Sequence, residues 1–196
     1  DAAGRMVTLV NTRSAPAPEA TLRSLVYALK HVAAKMNRDE DILFLHLTTH
    51  GGPNHVLVLS HGNHELYGLS PAYLKALLDH TGIRNRVVVV SACYSGAFVA
   101  PLAGPNALVI TAANSKRQSF GCGKDSPITE FSKAFYLDAL RQTRSFPQAA
   151  RLATQIVHET ERAQGRKHSY PQMRLGAALE DPLRSLEQRL ANGTTR

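Results

Sequence analysis

Arg86-Val87-Val88-Val89-Val90-Ser91-Ala92-Cys93-Tyr94-Ser95-Gly96 decides the fold. Four successive valines lack the in-out alternation of a half-wetted strand. Both faces therefore need cover, as in the middle of a parallel sheet wrapped by helices. The run ends in small residues around one thiol, which places Cys93 at the carboxyl end of a central strand, where open α/β sheets bind their ligands. Upstream, Asp41-Ile42-Leu43-Phe44-Leu45-His46-Leu47-Thr48-Thr49-His50-Gly51-Gly52 repeats the plan: an apolar run, then polar residues, a histidine and two glycines. Two neighbouring strands are expected to present His50 and Cys93 side by side.

Outward from these strands, helix and strand signals alternate. Arg5 to Asn11 reads as a short strand or edge segment, and Pro16 with Pro18 breaks the chain before a helix over Thr21 to Met36. In that helix Leu22, Leu25, Val26, Leu29, Val32 and Ala33 recur at helical spacing. His55 to Ser60 reads as a hairpin or edge strand, followed by a polar turn at positions 61 to 64. Ser70-Pro71 has the form of an N-cap with proline at the first helical position, for a helix through about His80 that stops at Gly82. Beyond Cys93, Ser95 to Leu102 is predicted as a short helix interrupted by Pro101. Ala107 to Ala113 follows as another buried strand, and Asn114 to Ser126 as a long polar loop containing Cys122. Ile128 to Thr143 and Phe146 to Gln164 read as amphipathic helices. Tyr170 to Leu175 is an edge strand by its Pro171, and Asp181-Pro182 opens a terminal helix that ends at Asn192-Gly193. Alternation of this kind predicts a parallel, doubly wound α/β sheet in one domain spanning residues 1–196.

Composition narrows the function classes. At 196 residues the chain is long enough for a core without staples. The formal charge of +8 is spread over scattered basic residues without interleaved aromatics, which argues against a nucleic-acid partner. No apolar stretch reaches the roughly 20 residues needed to span a bilayer. The sequence begins at Asp1 rather than methionine, so the chain reads as a processed or trimmed fragment; any signal peptide or anchor would lie upstream, and the lean is to an extracytoplasmic location. Two cysteines leave three readings open: a catalytic thiol with a bystander, one disulfide, or two inert core residues.

A cysteine attacks an acyl carbon as thiolate and needs a base or positive field nearby, which His50 supplies from the adjacent strand end. The glycine after it lets a backbone N–H approach a developing oxyanion. Other histidines invite metal readings. His50, His55, His61 and His64 fit no zinc-ligand spacing, no cofactor is called for, and His46 reads as a core or supporting histidine. Cys122 reads more readily as a structural thiol than as a disulfide partner of Cys93.

Thr49-His50-Gly51, Ser91-Ala92-Cys93 and the segments Ile110 to Asn114 and Ser119 to Cys122 together resemble the legumain-like (asparaginyl endopeptidase) family of cysteine peptidases. That family is grouped with caspases, gingipains and the catalytic subunit of the GPI transamidase. The resemblance covers roughly Asp39 to Leu140 and is closest to bacterial members. It implies a caspase-like three-layer α/β/α sandwich with a mostly parallel central sheet, acting on a peptide or protein. It also implies Cys93 as nucleophile, His50 as general acid, and the backbone N–H groups of Gly51 and Cys93 as oxyanion hole. By approximate alignment it puts Ser91, Gln118, Ser119 and Lys133 around the substrate side chain. Ser91 and Lys133 stand where legumain carries acidic residues, so strict asparagine specificity does not carry over, and Lys133 would favour an acidic or neutral side chain. The family's first strand, with its pocket arginine, has no counterpart before Arg5: either it lies upstream of Asp1 or this chain has lost it. Hydrolysis, transpeptidation by the same residues, and a catalytically silent binding module all remain open to these residues.

Overall fold

A computed structural model describes residues 4–11, 17–61, 64–123 and 126–193 of the chain. Pro16 and the centre of the turn at 61–64 lie outside the described residues. The elements in order are α1 (Leu22–Lys35), β1 (Ile42–Thr48), β2 (Leu57–His61), β3 (His64–Leu69), α2 (Pro71–Thr81) and β4 (Asn85–Ser91). Then come α3 (Val99–Leu102), β5 (Ala107–Thr111), α4 (Glu130–Ser132), α5 (Phe146–Ala163), β6 (Gln172–Leu175) and α6 (Glu180–Ala191).

Four strands form the main sheet in the order β1-β4-β5-β6; β1, β4 and β5 are parallel and β6 is antiparallel to β5. The four-valine run is the middle of β4 and is fully buried. Its residues alternate between two cores. Val88 and Val90 face α1, α2 and α3 through Leu25, Leu29, Leu74, Leu78 and Leu102. Val87 and Val89 face α4, α5 and α6 through Phe131, Phe135, Ala149, Ala153 and Leu183. Helices on both faces thus explain a strand with no polar side, and the result is a three-layer α/β/α sandwich. Pro171 precedes β6 at the edge of the sheet, where a missing backbone donor breaks no ladder.

Local signals set several boundaries. Thr21 caps α1 by accepting from the Ser24 N–H, and Ser70 caps α2 by accepting from the Tyr73 N–H, with Gly82 closing α2 in the left-handed region at φ 70°. Ser70→Ala is expected to lower stability by about 1 kcal/mol, read as a reduced urea midpoint with an unchanged slope.

Three expectations require correction. Arg5 to Asn11 is not a strand: its backbone bonds go to its own return loop, Val10 N–H to Pro18 O and Ala20 N–H to Val10 O, while Met6 and Val7 stay exposed. The apolar alternation there was too short to secure a place at a sheet edge. The stretch expected as a hairpin or edge strand is a hairpin, β2 pairing antiparallel with β3. Pro101 does not interrupt its helix. The chain makes one 3₁₀ turn at Ser95–Phe98 and passes into α3, where Pro101 lies in the first turn and its missing N–H costs no bond. The helix expected from Ile128 starts two residues later, capped by Thr129, and widens into a π-helix over Lys133–Ala139. Such widened turns occur often at functional sites.

Candidate active site

Because β1 and β4 are parallel and paired up to Thr48 and Ser91, the chain segments leaving them emerge at the same rim. Thr49 N–H continues the ladder to Ser91 O at 3.3 Å. The next residues, His50 and Gly51, are held from the other side by the hairpin: Val58 N–H donates to His50 O at 2.9 Å, and Gly51 pairs with Leu57. His50-Gly51 is therefore wedged between β2 and the end of β4. The fit is tight, since a Cβ built on Gly51 would stand 2.1 Å from the Cys93 carbonyl oxygen. Only glycine permits that approach.

Cys93 is half-buried and free, and the chain turns sharply after it, with Tyr94 at φ 56°. The loop after β5 wraps the thiol. Tyr94 N–H donates to Arg117 O at 2.8 Å, and Ser119 N–H donates to the Cys93 Sγ at 3.3 Å. Loop order comes from outside as well: Asn114 N–H donates to Ser169 O, Glu130 N–H to Phe120 O, and Arg166 pairs with Glu130 while lying 4.8 Å over the Phe120 ring. Ser169 is in turn fixed by the fully buried Glu161, whose carboxylate accepts from the Ser169 N–H at 3.0 Å.

Beside His50 opens a cavity of about 460 Å³. His46, Thr48, Thr49 and His50 contribute one wall, Gly121 to Gly123 and Ser126 to Thr129 another, and Ser132 and Tyr136 the helix side. Behind Thr129 and Ser132, Ser91 joins a cluster of hydroxyls: its Oγ is 2.8 Å from Thr129 Oγ1 and accepts from Ser132 Oγ at 3.1 Å. Tyr136 lies one α-turn beyond Ser132 and bonds His46 Nδ1 through its hydroxyl at 2.9 Å. Burial lowers the pKa of His46 and raises that of Tyr136, so both are neutral near pH 7.

The chemistry of Cys93 follows from its neighbours. Its pKa is lowered to about 6, chiefly because the Cys122 S–H donates to the thiolate. Burial opposes this, while the Ser119 N–H and the charge of His50 assist. The same contact, with burial, raises the Cys122 pKa. Alkylation of Cys93 by iodoacetamide, which consumes thiolate, is thus expected to accelerate as pH rises to about 6 and to level off above it. In Cys122→Ala the rising limb moves to higher pH, because the largest stabilising donor is gone.

Most predicted positions come together here. His50, Gly51 and Cys93 share the rim, Ser91 lies beneath the cavity, and Ser119 meets the thiol through its backbone. Gln118 and Lys133 do not belong with them: both are exposed and neither lines the cavity. The helix that carries Lys133 turns Ser132 and Tyr136 inward, so alignment by sequence missed the wall by one residue. Cys122, expected as a structural thiol, lies in the cavity lining with His50. His55 bonds Ser115 O at 3.0 Å, and the side chains of His61 and His64 lie outside the described ones.

Parallel strands delivering a histidine and a cysteine to one rim of a helix-covered sheet define a protein of caspase-like fold. Among solved structures, caspase-1 from Spodoptera frugiperda is similar with a TM-score of 0.54 and 15% identity, over 81% of this chain and 69% of that one. At that identity the likeness is one of fold. The sequence model of the peptidase C13 family matches residues 26–181, so the chain belongs to the peptidase C13 family, the legumain family of cysteine peptidases. No curated protein sequence matches it. Family and fold together support a cysteine-peptidase function with a protein as substrate.

Proposed function

We propose that the chain is a cysteine endopeptidase working through Cys93 and His50. The Cys93 thiolate adds to a peptide carbonyl carbon, and the carbonyl electrons move onto oxygen within reach of the Gly51 and Cys93 N–H groups. When the carbonyl re-forms, the C–N bond breaks and His50 donates its proton to the departing amine. Water activated by His50 then hydrolyses the thioester and returns the thiolate. The observation that carries the reading is the packing of Gly51 against the Cys93 carbonyl, which fixes the two strand ends together at the mouth of the cavity.

The cavity suggests which side chain precedes the cut. Its described lining holds hydroxyls and imidazoles but no Asp, Glu, Lys or Arg. Among the described lining residues a charged substrate side chain finds no counter-ion, whereas a neutral hydrogen-bonding one finds partners in Thr48, Thr129, Ser132 and Tyr136. Lys133 takes no part in this choice.

A peptidyl acyloxymethyl ketone tests the reading together with a peptide library. The reagent is expected to modify Cys93 far faster than Cys122, and the library to be cut after neutral polar residues in preference to Arg or Asp by at least about tenfold. Equal, slow labelling of both thiols with no cleavage would leave a silent module instead.

A further inference from the structure

His55 takes no part in the reaction above, yet its geometry is unusual in two respects. Its backbone holds φ 62°, in the left-handed region that glycine, and next asparagine, enter most readily. Its imidazole crosses to a segment 60 residues further along the chain, with Nε2 3.0 Å from the Ser115 carbonyl oxygen. A carbonyl only accepts, so the Nε2–H is the donor. Backbone held in such a region persists where surrounding contacts over-determine it, and it gathers at functional sites.

The two ends of that bond belong to the two halves of the site. His55 lies in the turn that follows His50-Gly51: its N–H donates to Gly52 O at 2.9 Å, Gly52 N–H donates to Val56 O at 3.2 Å, and Val58 N–H donates to His50 O at 2.9 Å. Ser115 belongs to the loop that wraps Cys93. Further along that loop, Arg117 O accepts from the Tyr94 N–H at 2.8 Å, and Ser119 N–H donates to the Cys93 Sγ at 3.3 Å. The loop also packs on the chain just after the thiol, since a Cβ on Gly96 would stand 2.6 Å from the Ser115 nitrogen. Among the described residues, the bond from His55 to Ser115 is the one hydrogen bond joining the His50-Gly51 turn to the loop after β5. Neither residue is among those described as lining the cavity. The bond therefore bears on how the two halves are placed, and not on the substrate side chain.

We infer that His55 is a positioning residue: it clamps the turn carrying His50 and Gly51 to the loop that holds Cys93, and so sets the separation of the groups that act on the scissile carbonyl. The inference rests on the peptidase reading proposed above. In that reading the Gly51 N–H, the Cys93 N–H and the Cys93 sulfur all address one carbonyl group, and each belongs to a segment that the clamp ties. A misplacement of about 1 Å can cost on the order of 10²-fold in rate even when the change lies away from the reacting atoms. Loss of an exposed clamp permits part of that displacement, so kcat is expected to fall about tenfold. KM is expected to stay the same, because the cavity keeps its walls.

A histidine with a merely structural role would stabilise its turn and do nothing more. Two substitutions part the roles, because the backbone and the bond favour different residues. Gln places an amide N–H where the His55 Nε2–H stands. Asn is too short to reach Ser115 but accepts φ 62° at least as easily. The whole protein and both variants are measured for kcat and KM on a fluorogenic peptide, for urea midpoint, and for hydrogen–deuterium exchange in peptides covering residues 50–57 and 113–119. His55→Asn is expected to lose about tenfold in kcat at unchanged KM, to keep its urea midpoint, and to exchange faster in both segments. His55→Gln is expected to return kcat and exchange to near the parent's values. The inference is overturned if His55→Asn cleaves peptide at the parent's rate, if only the segment around residue 55 exchanges faster, or if both variants lose kcat in step with their urea midpoints. A parent that cleaves no peptide would defeat the peptidase reading instead. Exchange would then still decide on the clamp: faster exchange in both segments of His55→Asn would uphold it, and a change confined to the first would remove it.

Discussion

His50→Ala is expected to reduce kcat for peptide hydrolysis by about 10²–10⁴-fold while Cys93 remains reactive to iodoacetamide near neutral pH. The separation of these two effects comes from the order of influences on the thiol. Cys122 is the largest of those that favour thiolate, the Ser119 N–H comes next, and the charge of His50 follows. Removing the imidazole therefore leaves most of the nucleophile's ionisation intact. What disappears is the proton donor for the leaving amine, and an amine expelled without a proton is among the poorest of leaving groups. The check is a pair of rates on one preparation: turnover of a fluorogenic peptide and alkylation of Cys93 across pH 5 to 8. A loss of alkylation in parallel with turnover would mean that the histidine acts mainly by generating the thiolate. A variant that hydrolyses peptide normally would remove His50 from the mechanism.

The two strands that carry His50 and Cys93, and their adjacency, were legible because burial leaves a strong mark on composition. Val87 to Val90 could be satisfied only between two helical layers, and the apolar run Ile42 to Leu47 could belong only beside it. The helix ends were legible for a different reason, that Ser70-Pro71 and Gly82 each meet a specific backbone need. Arg5 to Asn11 misled because a short alternation does not by itself secure a sheet partner: its backbone bonds locally, Val10 to Pro18 and Ala20.

The walls of the cavity were harder to read, and the difficulty is physical. Ser91, Thr129 and Ser132 form one hydroxyl cluster, but they belong to a strand and to a helix start that are far apart in sequence. Nothing local marks them as partners. The path of the loop that carries Cys122 was hidden, because it depends on distant anchors: Ser169 and Arg166, themselves set by Glu161 and Glu130.

Gly51→Ala tests the junction on which the site depends, and both stability and catalysis are expected to suffer. The added methyl would meet the Cys93 carbonyl oxygen at 2.1 Å and the Ala92 Cβ at 3.5 Å. The obstacle at 2.1 Å is backbone, not the tip of a flexible side chain, so relief requires moving a strand end. The His50-Gly51 turn is bound to β2 through Val58 and Leu57, and Cys93 follows the buried end of β4. Overpacking of this kind costs about 1–3 kcal/mol, and a clash with backbone belongs at or above the top of that range. Displacing the residue-51 N–H from the carbonyl site adds a loss of about 10²–10³ in kcat, the usual effect of one missing oxyanion donor. Gly104→Ala is the control, since nothing lies within 4 Å of its Cβ position and its φ is unexceptional. That variant should stay within about 0.5 kcal/mol of the parent. Urea midpoints give the stability, and kcat measured well below each variant's unfolding range gives the catalytic part. A Gly51→Ala protein as stable and as active as Gly104→Ala would mean that the two strand ends do not meet as described, and the proposed division of labour between His50, Gly51 and Cys93 would fall with them.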